Sequence, residues 1–189
     1  MQVLITGILL FVLPHFFSSL FPARRDRLRL RWGANGLRSV FTLTVGAGAA
    51  LMAWAYVRLS GAPEGPDFYT PPPGMTHATL LLVFLGFIAM GASYGTSHLR
   101  LWLQNPMSIG VALWAVGHLL ANGERAQVLI FLALLAVALV DIVVSMMRGK
   151  RPHYSPDWAA DGKAVAIGVV LYLVMLFGFH PYVLGLPVL

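Results

Sequence analysis

The chain contains no cysteine. That excludes disulfides, iron–sulfur clusters, thiolate-ligated or covalently attached haem, and a cysteine nucleophile. Metal chemistry here must rely on histidine, carboxylate or backbone oxygen. Charge is scarce as well: Asp, Glu, Lys and Arg make up 11% of the 189 residues, against about 25% in an ordinary soluble domain. So little charge cannot cover the surface of a water-soluble globule. A disordered chain would be polar, and this one is 58% apolar. No phosphate-cradling glycine loop, HExxH zinc motif or GxSxG elbow is present. Nor is there an internal repeat or the paired broken helices of a transporter. What remains is a composition suited to a bilayer.

Six apolar runs are bounded by charge or by Pro/Gly clusters: Gln2–Phe21, Leu37–Val57, Thr76–Ser97, Met107–Ala121, Gln127–Met147 and Lys163–Tyr182. A bilayer core about 30 Å thick takes about 20 helical residues per crossing. The fourth run is the shortest, at 15 residues, and a re-entrant segment is its alternative reading. Pro106 can open it, and Asn122-Gly123 can close it. Residues 123–126 alone separate it from the fifth run, which predicts a tight antiparallel hairpin. The expected fold is all-α: one polytopic domain over residues 1–189, a bundle of six transmembrane helices.

The first run lacks a charged n-region and is followed by Arg24, Arg25, Arg27, Arg29 and Arg31. It reads as a retained anchor rather than a signal peptide. With six crossings, eleven basic residues fall on one side and two, Arg58 and Arg125, on the other, beside Glu64 and Asp67. The positive-inside rule then places both termini on the non-cytoplasmic face. The arginines between the first two runs set topology and lie near anionic headgroups. This placement, rather than nucleic-acid binding, explains the formal charge of +6.

Polar side chains inside the runs are costly unless partnered. His15 and Asp141 each stand six residues before the cytoplasmic end of their run, at one depth. Asp141 either orients His15 or pairs with an arginine and ties helices together; the structural pairing is the expected one. His15, His98 and His153 form a cytoplasmic layer, and His77, His118 and His180 an outer one. At helix ends, His77, His98, His153 and His180 can simply reach water. His15 and His118 lie deeper, and each is either hydrogen-bonded to a neighbouring carbonyl or a metal ligand. Val111, Trp114, His118 and Ala121 share one helical stripe; an aromatic beside a histidine suits a flat macrocycle or ordinary packing. Gly91–Gly95 and Gly46–Ala50 have the small-xxx-small spacing of close helix contacts.

The stretch from Asn105-Pro106 through Trp114-Ala115-Val116-Gly117-His118-Leu119-Leu120-Ala121-Asn122-Gly123 resembles the signature of the NnrU family, Arg-His-Pro followed by Trp-Ala-x-x-His-Leu-x-Ala-Asn-Gly. Gly7–Phe11 leading to His15, Trp32–Gly36, Thr76-His77, Phe179-His180-Pro181-Tyr182 and Gly185 resemble the family in the same order. The resemblance spans nearly the whole chain. It implies a bacterial inner-membrane protein with periplasmic termini, supporting production of nitrite and nitric oxide reductases in denitrification, with respiratory assembly factors as partners. The plant and cyanobacterial branch, zeta-carotene isomerase, implies instead a b-type haem and an apolar isoprenoid substrate. By that analogy His15 and His118 are the matching iron ligands, with His180, His77 and Trp114 as further cofactor contacts and Asp141 in support. His118 with His180 or His77 is the geometrically simpler pair, since His15 sits in the other layer. A membrane methyltransferase is the third reading; the tripeptide it shares with the family is Gln104-Asn105-Pro106 here.

Overall fold

A computed structural model describes residues 1–59, 67–149 and 151–185. Glu64 and Lys150, both used in the charge tally, lie outside the described residues. Among those described, all regular structure is helical: α1 (Gln2–Leu20), α2 (Pro22–Leu59), α3 (Met75–Gly91), α4 (His98–Leu103), α5 (Pro106–Ala121), α6 (Arg125–Met147) and α7 (Trp158–Val174). Helix α7 runs on directly as a π-helical segment, Met175–Leu184. Among the described residues four helices are long and apolar enough to cross a membrane: α1, α2, α6, and α7 with its extension. Helices α3 and α5 are apolar but shorter, at 17 and 16 residues.

The boundaries differ from the sequence expectation for local reasons. The third run stops at Gly91 instead of Ser97, because the chain turns through Gly95 at φ +83°. Ser97 then caps a new short helix, its side chain accepting from the Arg100 N–H. The last run starts at Trp158 instead of Lys163, since Asp157 accepts from the Ala159 N–H and opens the helix earlier. The arginine-rich connection is itself helical and forms the first part of α2, up to a bend where Gly33 takes φ +74° and ψ 165°. An L side chain would be strained there.

The helices form an arc in the spatial order α2, α1, α6, α5, α3, α7. Three crossings in it run through glycine. A Cβ on Gly7 would sit 2.9 Å from the Gly48 carbonyl oxygen, and one on Gly48 2.8 Å from that of Gly7. Gly86 and Gly110 face each other the same way between α3 and α5, at 2.8 and 2.5 Å. Gly168 of α7 lies against the backbone of Phe87 and Ile88. Backbones approach this closely only where side chains are missing. The anticipated small-residue pairs are therefore half displaced: Gly91 packs on Ala164, but Gly46 and Gly95 meet nothing within 4 Å.

Helices α5 and α6 form the expected antiparallel hairpin. His118 meets Phe131, and Ser108 meets Asp141. The two contacts lie ten residues apart on both helices, so a single register accounts for them. Helix α1 runs parallel to α6: Leu4 clusters with Ala126 near one end, and Ser19 bonds Asp141 near the other. The π-helical segment continues α7, and Leu184 packs on the cluster of Leu4, Met52, Ala55, Tyr56 and Ala126. The arc thus folds around a central space.

Candidate functional site: a histidine-lined cavity

That space is a cavity of about 1020 Å³ between α1, α2, α3, α5, α6 and α7. Its walls are mainly apolar, with Met52, Val83, Phe87, Val111, Leu134 and Val137 among them. The whole predicted stripe of Val111, Trp114, His118 and Ala121 faces it. So do His15, His180 and Asp141. His77 does not line it; that side chain is exposed in the first turn of α3. A small-molecule site takes about 300–1,000 Å³, so this one is large.

His118 stands in the last turn of α5. Its ring lies on Phe131, with centroids 4.2 Å apart and planes 20° from parallel, and Trp114 meets it edge-on at 5.7 Å. Opposite is His180, its centroid 6.2 Å away and its plane inclined by 16°. The π-helical winding of Met175–Leu184 sets His180 in this place. A regular α-helix would rotate the residue away, and π-turns recur where a side chain must be re-aimed. Pro181 lacks an N–H and removes one backbone donor from the segment.

The three cavity histidines share one tautomer. His118 Nδ1 lies 2.9 Å from the Trp114 carbonyl oxygen, His15 Nδ1 2.7 Å from that of Phe11, and His180 Nδ1 2.8 Å from that of Met175. A carbonyl only accepts, so Nδ1 carries the proton of each neutral ring and Nε2 keeps its lone pair. A histidine held this way is oriented for ligation through Nε2. Among the described residues no three His, Asp or Glu side chains gather into a set that could hold a bare metal ion. Two facing imidazoles suit instead a metal that brings its own equatorial donors.

The far end of the cavity is polar in another way. Asp141 accepts from Ser108 Oγ at 2.6 Å, Ser19 Oγ at 3.2 Å and Asn105 Nδ2 at 3.2 Å. These bonds join α1, the start of α5 and α6. Asn105 stands where the family signature has histidine, and it turns its amide to Asp141. Gln104 before it holds φ +60° in a turn closed by Asn105 N–H to the Leu103 carbonyl, 2.6 Å. His15 sits one helical turn before Ser19, between Phe11 at 4.6 Å and Phe41 at 5.1 Å. Neither His15 nor an arginine is among Asp141's partners in the described residues.

His98 and His153 lie apart from the cavity. His98 Nδ1 is 2.6 Å from Asp161 Oδ2, and the ring stacks on Trp158 at 4.0 Å. Asp161 also accepts from the backbone N–H groups of His98 and Leu99. This knot fixes α4 to the start of α7. Phe131, Ser108, Ser19 and Phe41 complete the cavity ends, and none of them stood out in the sequence. Phe11 was one helical turn from His15 and so within reach of a periodicity argument. Phe131 becomes visible only through the register of the hairpin.

An all-helical bundle with membrane-compatible helices, enclosing a cavity with histidines at its wall, defines the class. The model of the NnrU protein family matches residues 3–188, and the chain belongs to that family. No curated protein and no solved structure matches it.

Proposed function

We propose that this chain is a haem-binding membrane protein in which His118 and His180 would hold a b-type haem. The observation that carries the reading is the pair of facing imidazoles, 6.2 Å apart and 16° from parallel. Among the described residues only Nδ1 of each ring has a hydrogen-bond partner, and the flat faces of the cavity's aromatic side chains suit a macrocycle. Bound there, haem would supply redox chemistry that the protein tunes through its axial ligands and surroundings. The chain's own part is to orient two imidazoles through Trp114 and Met175 and to exclude water with Phe131, Trp114 and Phe87.

The cellular role we assign is the one the family resemblance implies, support of nitrite and nitric oxide reductase production. A second reading, a haem-dependent isomerase or oxidoreductase acting on a carotenoid or other apolar lipid, is favoured by the apolar walls of the cavity. We place the protein in a bacterial inner membrane with six crossings and periplasmic termini. Helices of 16 and 17 residues reach about 25 Å, close to the about 30 Å core. The lack of native cysteine makes topology directly measurable. A single cysteine at Leu30, which is 88% exposed, is expected to resist an impermeant maleimide in intact cells. One at Tyr182, 87% exposed, is expected to react.

The haem test is the absorption spectrum of the detergent-purified chain after haem-replete expression. A Soret band is expected, lost in His118→Ala and weakened and shifted in His180→Ala, with His77→Ala unchanged. A colourless wild type, or a band indifferent to His118→Ala, refutes the reading.

A further inference from the structure

Ser108 with Asp141 and His118 with Phe131 mark two ends of one cavity. Ten residues separate them on α5 and ten on α6, which at 1.5 Å per residue is about 15 Å. Val111, Leu134, Val137 and Ala138 line the length between. The cavity is therefore an apolar shaft with a histidine pair at one end and a carboxylate at the other. A haem held by His118 and His180 would occupy only the first end.

At the second end, the open groups are acceptors. Asp141 takes three hydrogen bonds, leaving about one of its four lone-pair sites free. The hydroxyl protons of Ser108 and Ser19 are directed to it. His15 has given its Nδ1 proton to the Phe11 carbonyl and lines the cavity with a proton-free Nε2. Ser18, the other polar side chain here, can donate or accept. No cation is among the partners of Asp141 in the described residues. A molecule filling the shaft meets, at this end, two acceptors in need of a donor.

We infer that the shaft binds a long apolar lipid carrying a hydroxyl at one end, with that hydroxyl donating to Asp141 or His15 and the tail directed toward His118. At Asp141 and His15 a ketone, aldehyde or ester head would set acceptor against acceptor, with only Ser18 able to donate. An ammonium head could donate, but it would have to shed its water along an apolar shaft, whereas a hydroxyl sheds far less. The inference rests on the reading that this cavity holds a ligand beside its cofactor. It adds the chemical class of that ligand and the residues that select it.

The test compares two molecules that share a tail and differ at the head. Tritiated all-trans-retinol is bound to the purified full-length chain in a scintillation proximity assay and displaced by unlabelled retinol or retinyl acetate. Retinol is expected to compete about tenfold better, the worth of one hydrogen bond to a charged acceptor. Asp141→Asn should bring the ratio close to one. Because Asp141 also ties three helices together, His15→Phe provides the independent variant. It keeps the packing on Phe11 and Phe41, and it too should cut the preference. The haem spectrum recorded on the same samples separates the two readings. Retinol preference without a Soret band leaves the inference standing while the haem assignment fails. Equal competition by the two compounds overturns the inference, as does failure of retinol to bind a chain that shows the band. Loss of the band in His15→Phe also overturns it, since His15 would then be an iron ligand.

Discussion

Phe131 lies flat against His118, with ring centroids 4.2 Å apart. These residues belong to different helices of the hairpin, so one ring both shields the imidazole and holds the register. Phe131→Leu keeps apolar volume and loses the stacking. It should cost about 0.5–1.5 kcal/mol, read as a lower thermal midpoint in detergent. If His118 is an iron ligand, the same variant should broaden the Soret band as the imidazole gains freedom.

The glycine crossings supply a prediction with an internal control. Gly48→Ala would place a methyl group 2.8 Å from the Gly7 carbonyl oxygen and the Phe11 nitrogen. The helices must part, at a cost of about 1–3 kcal/mol. Gly46, two residues earlier, meets nothing within 4 Å. Gly46→Ala should be neutral or stabilising by up to about 1 kcal/mol through helix propensity. Thermal unfolding of the two variants side by side checks this.

Asp161 accepts from His98 Nδ1 and from two backbone N–H groups at the start of α4. Asp161→Ala should loosen α4 from α7, and Asp161→Asn, which retains one acceptor oxygen, should do so less. Hydrogen exchange over residues 97–103 is the measurement, and faster exchange confined to that segment and the start of α7 is expected.

At the hairpin loop, burial holds the Glu124 carboxyl above its usual range, nearby Asp67 pushes the same way, and a hydrogen bond from Gln127 works against both. The folded chain therefore keeps this proton to a higher pH than the unfolded chain does. The contribution is whole below the unfolded pKa and is lost as pH rises through the folded one. Thermal midpoints measured from about pH 4 to about pH 8 span the usual carboxylate range and beyond. They should carry a declining component that Glu124→Gln removes.

Gln104 takes φ +60° and ψ −40° between α4 and α5, close to the strained form of a three-residue turn. Gln104→Gly should relieve it and stabilise the fold by on the order of 1 kcal/mol, read as a higher thermal midpoint. A fall in the midpoint would mean that the Gln104 side chain, and not only its backbone, is needed there.

Much of this architecture follows from the sequence alone. Apolar length and sparse charge dictate helices suited to a bilayer. A four-residue connection dictates the α5–α6 hairpin, and helical periodicity puts Trp114 and His118 on one face. The same rules placed His15 and Asp141 at one end and His118 and His180 at the other, because depth is simple arithmetic along a helix. They could not say which way helices far apart in sequence turn toward each other. That rotation is decided where backbones touch, at Gly7 with Gly48 and at Gly86 with Gly110, and no spacing within a single helix reveals the partner. It is decided again in the π-helical turn, whose extra residue per turn brings His180 to face His118. The chain's composition determined that there would be a membrane-compatible bundle with part-buried imidazoles; only tertiary packing selected the pair that meets and left Asp141 among hydroxyls and an amide.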